Sequence, residues 1–157
     1  MTEARADREL RAEAIVQAPP ERVWELLTDF SRMPEWSPEL VRMLPMKRGG
    51  LRNGQWYLGI NRRKAVVWPS RSVVAAVEAG RRLVWDTKSS GAQWIWELEP
   101  ADGGATRVVH RRPVPKAVTL LSRSFAPVFL GGNAGHADEL EQGMARTVAG
   151  LKAAAEA

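Results

Sequence analysis

An α+β fold, with a curved antiparallel sheet wrapped around one long C-terminal helix, is predicted by three features of this 157-residue chain. Its middle carries six consecutive runs with strand patterning, separated by glycine-rich or charged turns. Its end carries one apolar stripe at helical spacing: Ala137, Leu140, Met144, Val148, Leu151 and Ala155. A lone strand and two short helices precede the meander.

Residues 10–18 alternate weakly and read as the first strand. Pro19-Pro20 breaks it, and proline is tolerated in the first turn of a helix. Glu21 follows where the positive helix end favours a carboxylate. The first helix, 20–28, buries Val23, Leu26 and Leu27, with Trp24 at the edge of its stripe. Ser31 is expected to cap a second short helix that reaches Trp36 and ends with the help of Pro38. Strands follow at 40–46, 55–61 and 66–78, with turns at 47–50 and 62–64. A bulge is expected at Pro69, since proline cannot donate to a sheet ladder. Further strands at 82–87, 92–99 and 105–112 complete the meander. Residues 118–130 are apolar but poorly patterned and read as a partly helical lid or packing segment. Gly143 and Gly150 flank the stripe of the last helix; each costs about 1 kcal/mol relative to alanine, which close approach to the sheet would offset.

Apolar residues make up 45% of the chain and charged residues 26%, ordinary for a globular protein. A single domain over 1–157 is expected, with an ordered core from about 8 to 155. The absence of cysteine excludes disulfides and thiolate metal sites. The charged stretch from Met1 to Arg11 lacks the apolar centre of a signal peptide. No run approaches the roughly 20 apolar residues of a membrane span, so the expected location is the cytoplasm. Ten cations lie between Arg42 and Arg82 against Glu78 alone. Such a segment can meet nucleic acid, an anionic membrane or an acidic ligand, or simply be solvated strand ends and loops. The solvated reading is preferred, because Arg62-Arg63-Lys64 and Arg81-Arg82 fall at expected turns.

The chemistry concentrates in Gln93-Trp94-Ile95-Trp96-Glu97-Leu98-Glu99. On a strand, Trp94, Trp96 and Leu98 share one face, while Glu97 and Glu99 turn to water, against a buried acid/base pair. Leu83, Trp85, Trp68, Val74, Val108 and His110 are expected on that same inner face. Large indoles line either a core or a ligand pocket, and both readings stand. His110 is either a hydrogen-bonded strand-end residue or a group that orients a ligand and moves protons. For 55–61, alternation places Trp56, Leu58 and Ile60 inward. The opposite register would place Tyr57, Gly59 and Asn61 inward and leave Trp56 as an outer apolar surface, such as a homodimer contact. That register is the one adopted.

The run Ala18-Pro19-Pro20-Glu21-Arg22-Val23-Trp24, then Asp29 and Met33-Pro34-Glu35-Trp36, resembles the opening of the SRPBCC superfamily. This group includes START-like, Bet v 1-like and polyketide cyclase/dehydrase-like proteins. Gly80 to Trp85, Trp94 to Pro100, Gly104 to Val108 and Gly143 to Lys152 are similar to its later landmarks, and Gly54 to Asn61 is the family-like run behind the adopted register. The resemblance implies a helix-grip fold: seven antiparallel strands grip the C-terminal helix, two short helices sit between strands 1 and 2, and a deep cavity lies between sheet and helix. Fold alone does not decide function.

The expected function is binding or carrying a hydrophobic small molecule (a lipid, polyketide or aromatic compound) in that cavity. Expected ligand contacts are Tyr57, Asn61, Trp68 and Trp85, with Trp94, Trp96, His110 and Met144. The alternative is a cyclase/dehydratase-type enzyme using His110, Tyr57 or Asn61 on the same substrate class; His110 is the one weak catalytic candidate. A third reading, a nucleic-acid or membrane-surface binder, rests on the basic segment. No cofactor, metal or nucleic-acid partner is expected: His110 and His136 lie on different elements, and Gly49-Gly50 and Gly131-Gly132 lack a phosphate-loop context. Glu141, at the edge of the helix stripe, faces either the cavity mouth or, as preferred, solvent.

Overall fold

A computed structural model of the chain describes residues 9–88, 91–113 and 134–157. Strand β1 (Leu10–Val16) leads into helix α1 (Pro20–Thr28) and a 3-10 turn (Met33–Glu35). The meander comprises β2 (Leu40–Pro45), β3 (Trp56–Arg63), β4 (Val66–Glu78), β5 (Arg82–Thr87), β6 (Ala92–Pro100) and β7 (Thr106–Arg112). Helix α2 (Ala134–Glu156) ends the fold. The seven strands form one antiparallel sheet in the order β1-β7-β6-β5-β4-β3-β2. The meander therefore runs in sequence order and β1 closes on β7. This is the predicted α+β architecture. The expected lid over 118–130 lies outside the described residues.

Helix α1 starts as its prolines dictate. Pro19 is the N-cap in extended conformation, Pro20 opens the first turn, and the Pro19 carbonyl accepts from the N–H groups of Arg22 and Val23. Two local expectations fail. Ser31 does not cap the 3-10 turn; its hydroxyl donates to the Asp29 carboxylate instead, and Arg32 occupies the cap position. The β4 register runs unbroken past Pro69, which pairs with Ile60, and the irregularity falls between Val74 and Ala76. The reason is positional: Pro69 lies where β4 projects beyond β5, with β3 as its one sheet neighbour, so its missing N–H breaks no second ladder.

Pleating sorts the side chains. Leu83, Trp96, Leu98, Val108 and Val16 face α2 and are buried with Met144, Val148 and Leu151 of its stripe. The opposite face carries cross-strand ion pairs, Arg107 with Glu13 and Glu99, and Arg111 with Glu97 and Glu9. Exposed pairs of this kind are individually weak. Buried polar groups clamp the connections. Thr106 Oγ1 donates to the Ala18 carbonyl at 2.8 Å, and Gln55 Nε2 donates to the Lys47 carbonyl at 2.8 Å.

Helix α2 packs chiefly on β1 and α1. Gly150 makes the closest approach, although to the chain leaving the 3-10 turn and not to the sheet: a Cβ there would overlap the Trp36 backbone carbonyl. At Gly143 a Cβ would meet nothing nearer than an Arg146 guanidinium nitrogen at 3.8 Å. The two glycines therefore predict opposite responses in urea denaturation. Gly150→Ala should destabilise the fold by about 2 kcal/mol through forced displacement of backbone. Gly143→Ala should stabilise it by up to about 1 kcal/mol through helix propensity.

Candidate functional site

The same alternation that builds the core leaves a space at the other end of the helix. On β3 and β4 four of the inward residues, beside Tyr57 and Trp68, are small or polar: Gly59, Asn61, Ser70 and Ser72. Facing them on α2 are Gly143 and Thr147, beside Met144. These side chains cannot span the gap between sheet and helix, and a cavity of about 450 Å³ remains. Trp68, Trp85, Trp94, Trp96 and His110 line it from the sheet, and Met33 and Trp36 from the 3-10 turn.

Much of the wall is built by cross-strand stacking. Trp96 of β6 lies directly opposite His110 of β7, and the rings stack at 3.8 Å between centroids, 14° from parallel. Trp94 stacks on the same imidazole at 5.6 Å, and the Arg112 guanidinium sits over Trp94 at 5.5 Å. Trp96, His110, Trp94 and Arg112 thus form one interdigitated column across two strands. Trp36 meets Trp96 edge-on at 6.1 Å. Ring-on-ring contact in a sheet holds each side chain in one rotamer, so the wall is rigid.

Hydrogen bonding divides the polar lining in two. Asn61 Nδ2 donates to Ser70 Oγ at 3.0 Å and to the Trp68 carbonyl, while the Ser72 and Thr87 hydroxyls pair at 2.9 Å. Among the described residues, the indole N–H groups of Trp36 and Trp96 are buried without a protein acceptor. A buried donor left unpaired costs roughly 1–3 kcal/mol, and both indoles belong to residues that line the cavity. His110 Nδ1 lies 3.0 Å from the Ile95 carbonyl. A carbonyl only accepts, so Nδ1 carries the proton and Nε2 of the neutral ring is left as an acceptor.

Six of the eight residues expected from sequence line the sheet wall and Met144 lines the helix wall. Tyr57 is the exception. It faces the same side as Asn61 but lies deeper, packed edge-on against Phe30 at 4.8 Å, and burial raises its pKa. Trp56, Leu58 and Ile60 take the outer face and are half-buried there. Glu141 turns toward β1, where its carboxylate accepts from the Arg11 backbone N–H at 3.0 Å. Sequence reasoning did not single out Trp36, Ser70, Ser72 or Thr87 as lining; Trp36 could have been found only through its place in the family-like motif. Among the described residues, no three histidine, aspartate or glutamate side chains converge as metal ligands.

At the mouth, Arg63 bridges Glu139 of α2 at 3.2 Å and lies 3.9 Å from Glu39, while Arg146 adds a further cation. Deeper in, burial pushes His110 down to about 4, the Ile95 carbonyl partly opposing this. A group held below its unfolded value of 6.5 contributes stability that is complete above that pH and is lost as pH falls toward about 4. Glu13 and Glu156, held below the ordinary carboxylate value by hydrogen bonds from Arg107 and Lys152, titrate beneath this window. Urea melts between neutral pH and about pH 4.5 should show stability falling by up to about 3 kcal/mol. His110→Asn, which retains a donor for Ile95, should flatten that dependence.

The model of the family described as polyketide cyclase / dehydrase and lipid transport matches the chain over residues 7–156. No curated protein matches it. Solved structures share its fold. The KanY protein superposes with a TM-score of 0.70 at 16% identity, covering 97% of this chain and 99% of its own. The polyketide cyclase-like protein Cgl2372 from Corynebacterium glutamicum gives 0.65 at 21% identity, covering 92% and 88%. The di-domain ARO/CYC BexL from the BE-7585A biosynthetic pathway gives 0.66 at 16%, covering 95% of this chain and 50% of BexL.

Proposed function

We propose that this chain, which belongs to the polyketide cyclase / dehydrase and lipid transport family, holds a hydrophobic small molecule in the cavity between its sheet and helix α2. The observation that carries the reading is the wall itself: stacked indoles and an imidazole around about 450 Å³, with two buried indole N–H groups that lack acceptors among the described residues. A cavity of that size suits one lipid chain or a few fused rings, and a rigid aromatic face favours flat, conjugated ligands over branched ones. Lipid, polyketide and aromatic compounds all meet these requirements, in keeping with the family.

A cyclase/dehydratase activity is the second reading, favoured by one observation. His110 presents Nε2 as an acceptor on the cavity wall, where it can orient an enol or hydroxyl of a folded chain. Its low pKa makes it a weak general base near neutral pH, so positioning would carry more of the rate than proton abstraction. The family's description as polyketide cyclase / dehydrase supports this reading without naming a residue.

Tryptophan fluorescence tests the first reading. A hydroxyanthraquinone or a long-chain fatty acid should quench saturably, with a Kd below about 10 μM for the better ligand. Gly143→Leu, placing a side chain from open helix surface into the cavity, should weaken binding at least about tenfold without unfolding the protein. Absence of saturable quenching by either probe would refute the reading. The enzyme reading requires that His110→Asn still bind a substrate of the cyclase class while losing its conversion.

A further inference from the structure

The exposed apolar surface is concentrated where the charge is. Val66 and Val67 are the two most exposed large hydrophobic residues described, at 63% and 59%. They open β4 at the tip of the β3–β4 hairpin. Register places Arg62 opposite Val67 and Arg63 opposite Val66, with Lys64 in the turn at a left-handed φ of 56°. Opposed residues share a face, so one valine projects from each side of the ribbon. Val41, 50% exposed, lies in the register irregularity of neighbouring β2, between Leu40 and Arg42.

Strand propensity favours valine at these positions, but neither valine joins the core, and their apolar surface stays in water at the end of the hairpin. The cations are not arranged for internal pairing either. Arg62 folds back to donate to the Lys64 carbonyl at 2.9 Å, and among the described residues neither Arg62 nor Lys64 forms an ion pair. Arg63, by contrast, is engaged with Glu139 and Glu39. The tip thus joins apolar side chains able to enter an acyl boundary with cations able to meet anionic headgroups above it. It also borders the cavity opening, since Arg63, Trp68 and Pro69 line that end.

We propose that the β3–β4 hairpin docks on an anionic lipid bilayer, inserting Val66 and Val67 with Arg62 and Lys64 at headgroup level. The proposal rests on the hairpin alone, not on what the cavity holds. Docking in this pose sets the cavity mouth against the bilayer. Nucleic acid is the less fitting partner, because phosphate contacts give no use to exposed valines.

Co-sedimentation of the full chain with sucrose-loaded vesicles decides the matter. Phosphatidylcholine vesicles containing phosphatidylglycerol should retain the protein, and pure phosphatidylcholine vesicles should retain markedly less. Val66→Ser/Val67→Ser should lower the partition coefficient roughly tenfold. Arg62→Gln/Lys64→Gln should lower it several-fold and flatten its dependence on salt. Both variants should keep the wild-type melting temperature and the solution quenching titration, so membrane docking and ligand binding fail independently. Equal retention on both vesicle types would overturn the proposal, as would serine variants that bind like wild type. Salt-sensitive retention by single-stranded RNA that ignores the valines, in a chain indifferent to vesicles, would replace the bilayer with nucleic acid.

Discussion

Helix α2 rests on one edge of the sheet. Its apolar stripe packs against β1 and α1, and Gly150 lets its backbone settle directly onto the carbonyl of Trp36. That contact sets both the position of the helix and the position of the Trp36 ring. Among the described residues the helix has no comparable packing against β3 and β4, where Gly59, Asn61, Ser70 and Ser72 face Gly143 and Thr147. A well-packed interior tolerates few voids, so a space of this size survives only where both walls are held apart from elsewhere. The clamp at one end and the small residues at the other are two parts of one arrangement.

The wall facing that space owes its form to register. Opposed pairing puts Trp96 on His110, and the next inward positions along the same strands place Trp94 and Arg112 on the column. Burial then keeps the imidazole neutral, so the column contributes shape and hydrogen-bonding sites without adding a titrating charge near neutral pH. The charges gather at the mouth instead, where Arg63 links sheet and helix through Glu139. Beyond the mouth, the hairpin that carries Arg63 ends in exposed valines and cations, so interior and exterior chemistry meet at one corner of the molecule.

Much of this was legible in the sequence because it follows from local periodicity. Alternation at Trp94, Trp96 and Leu98 determined a face, the same parity placed Val108 and His110 together, and the stripe from Ala137 to Ala155 marked the helix. What escaped depends on contacts between distant elements. Tyr57 has the right parity for the cavity, but Phe30 from the loop after α1 covers it, and no spacing encodes that. Trp36 joins the wall because Gly150, more than a hundred residues later, meets its carbonyl. Ser31 had the chemistry of a cap and found a nearer acceptor in Asp29. Pro69 looked like an interruption only because the sequence does not say how far β5 extends alongside β4.

The claim beneath all of this is that the space of about 450 Å³ between the sheet and its last helix, walled by Trp36, Trp94, Trp96 and His110, takes up a guest. An amide ¹H–¹⁵N spectrum resolving the seven indole N–H resonances, recorded while a flat aromatic ketone is titrated in, addresses it directly. The Trp36 and Trp96 signals should move together and saturate, while Trp24 on the far helix stays in place. Movement confined to Trp24, or no movement at all up to the solubility limit of the ketone, would contradict it.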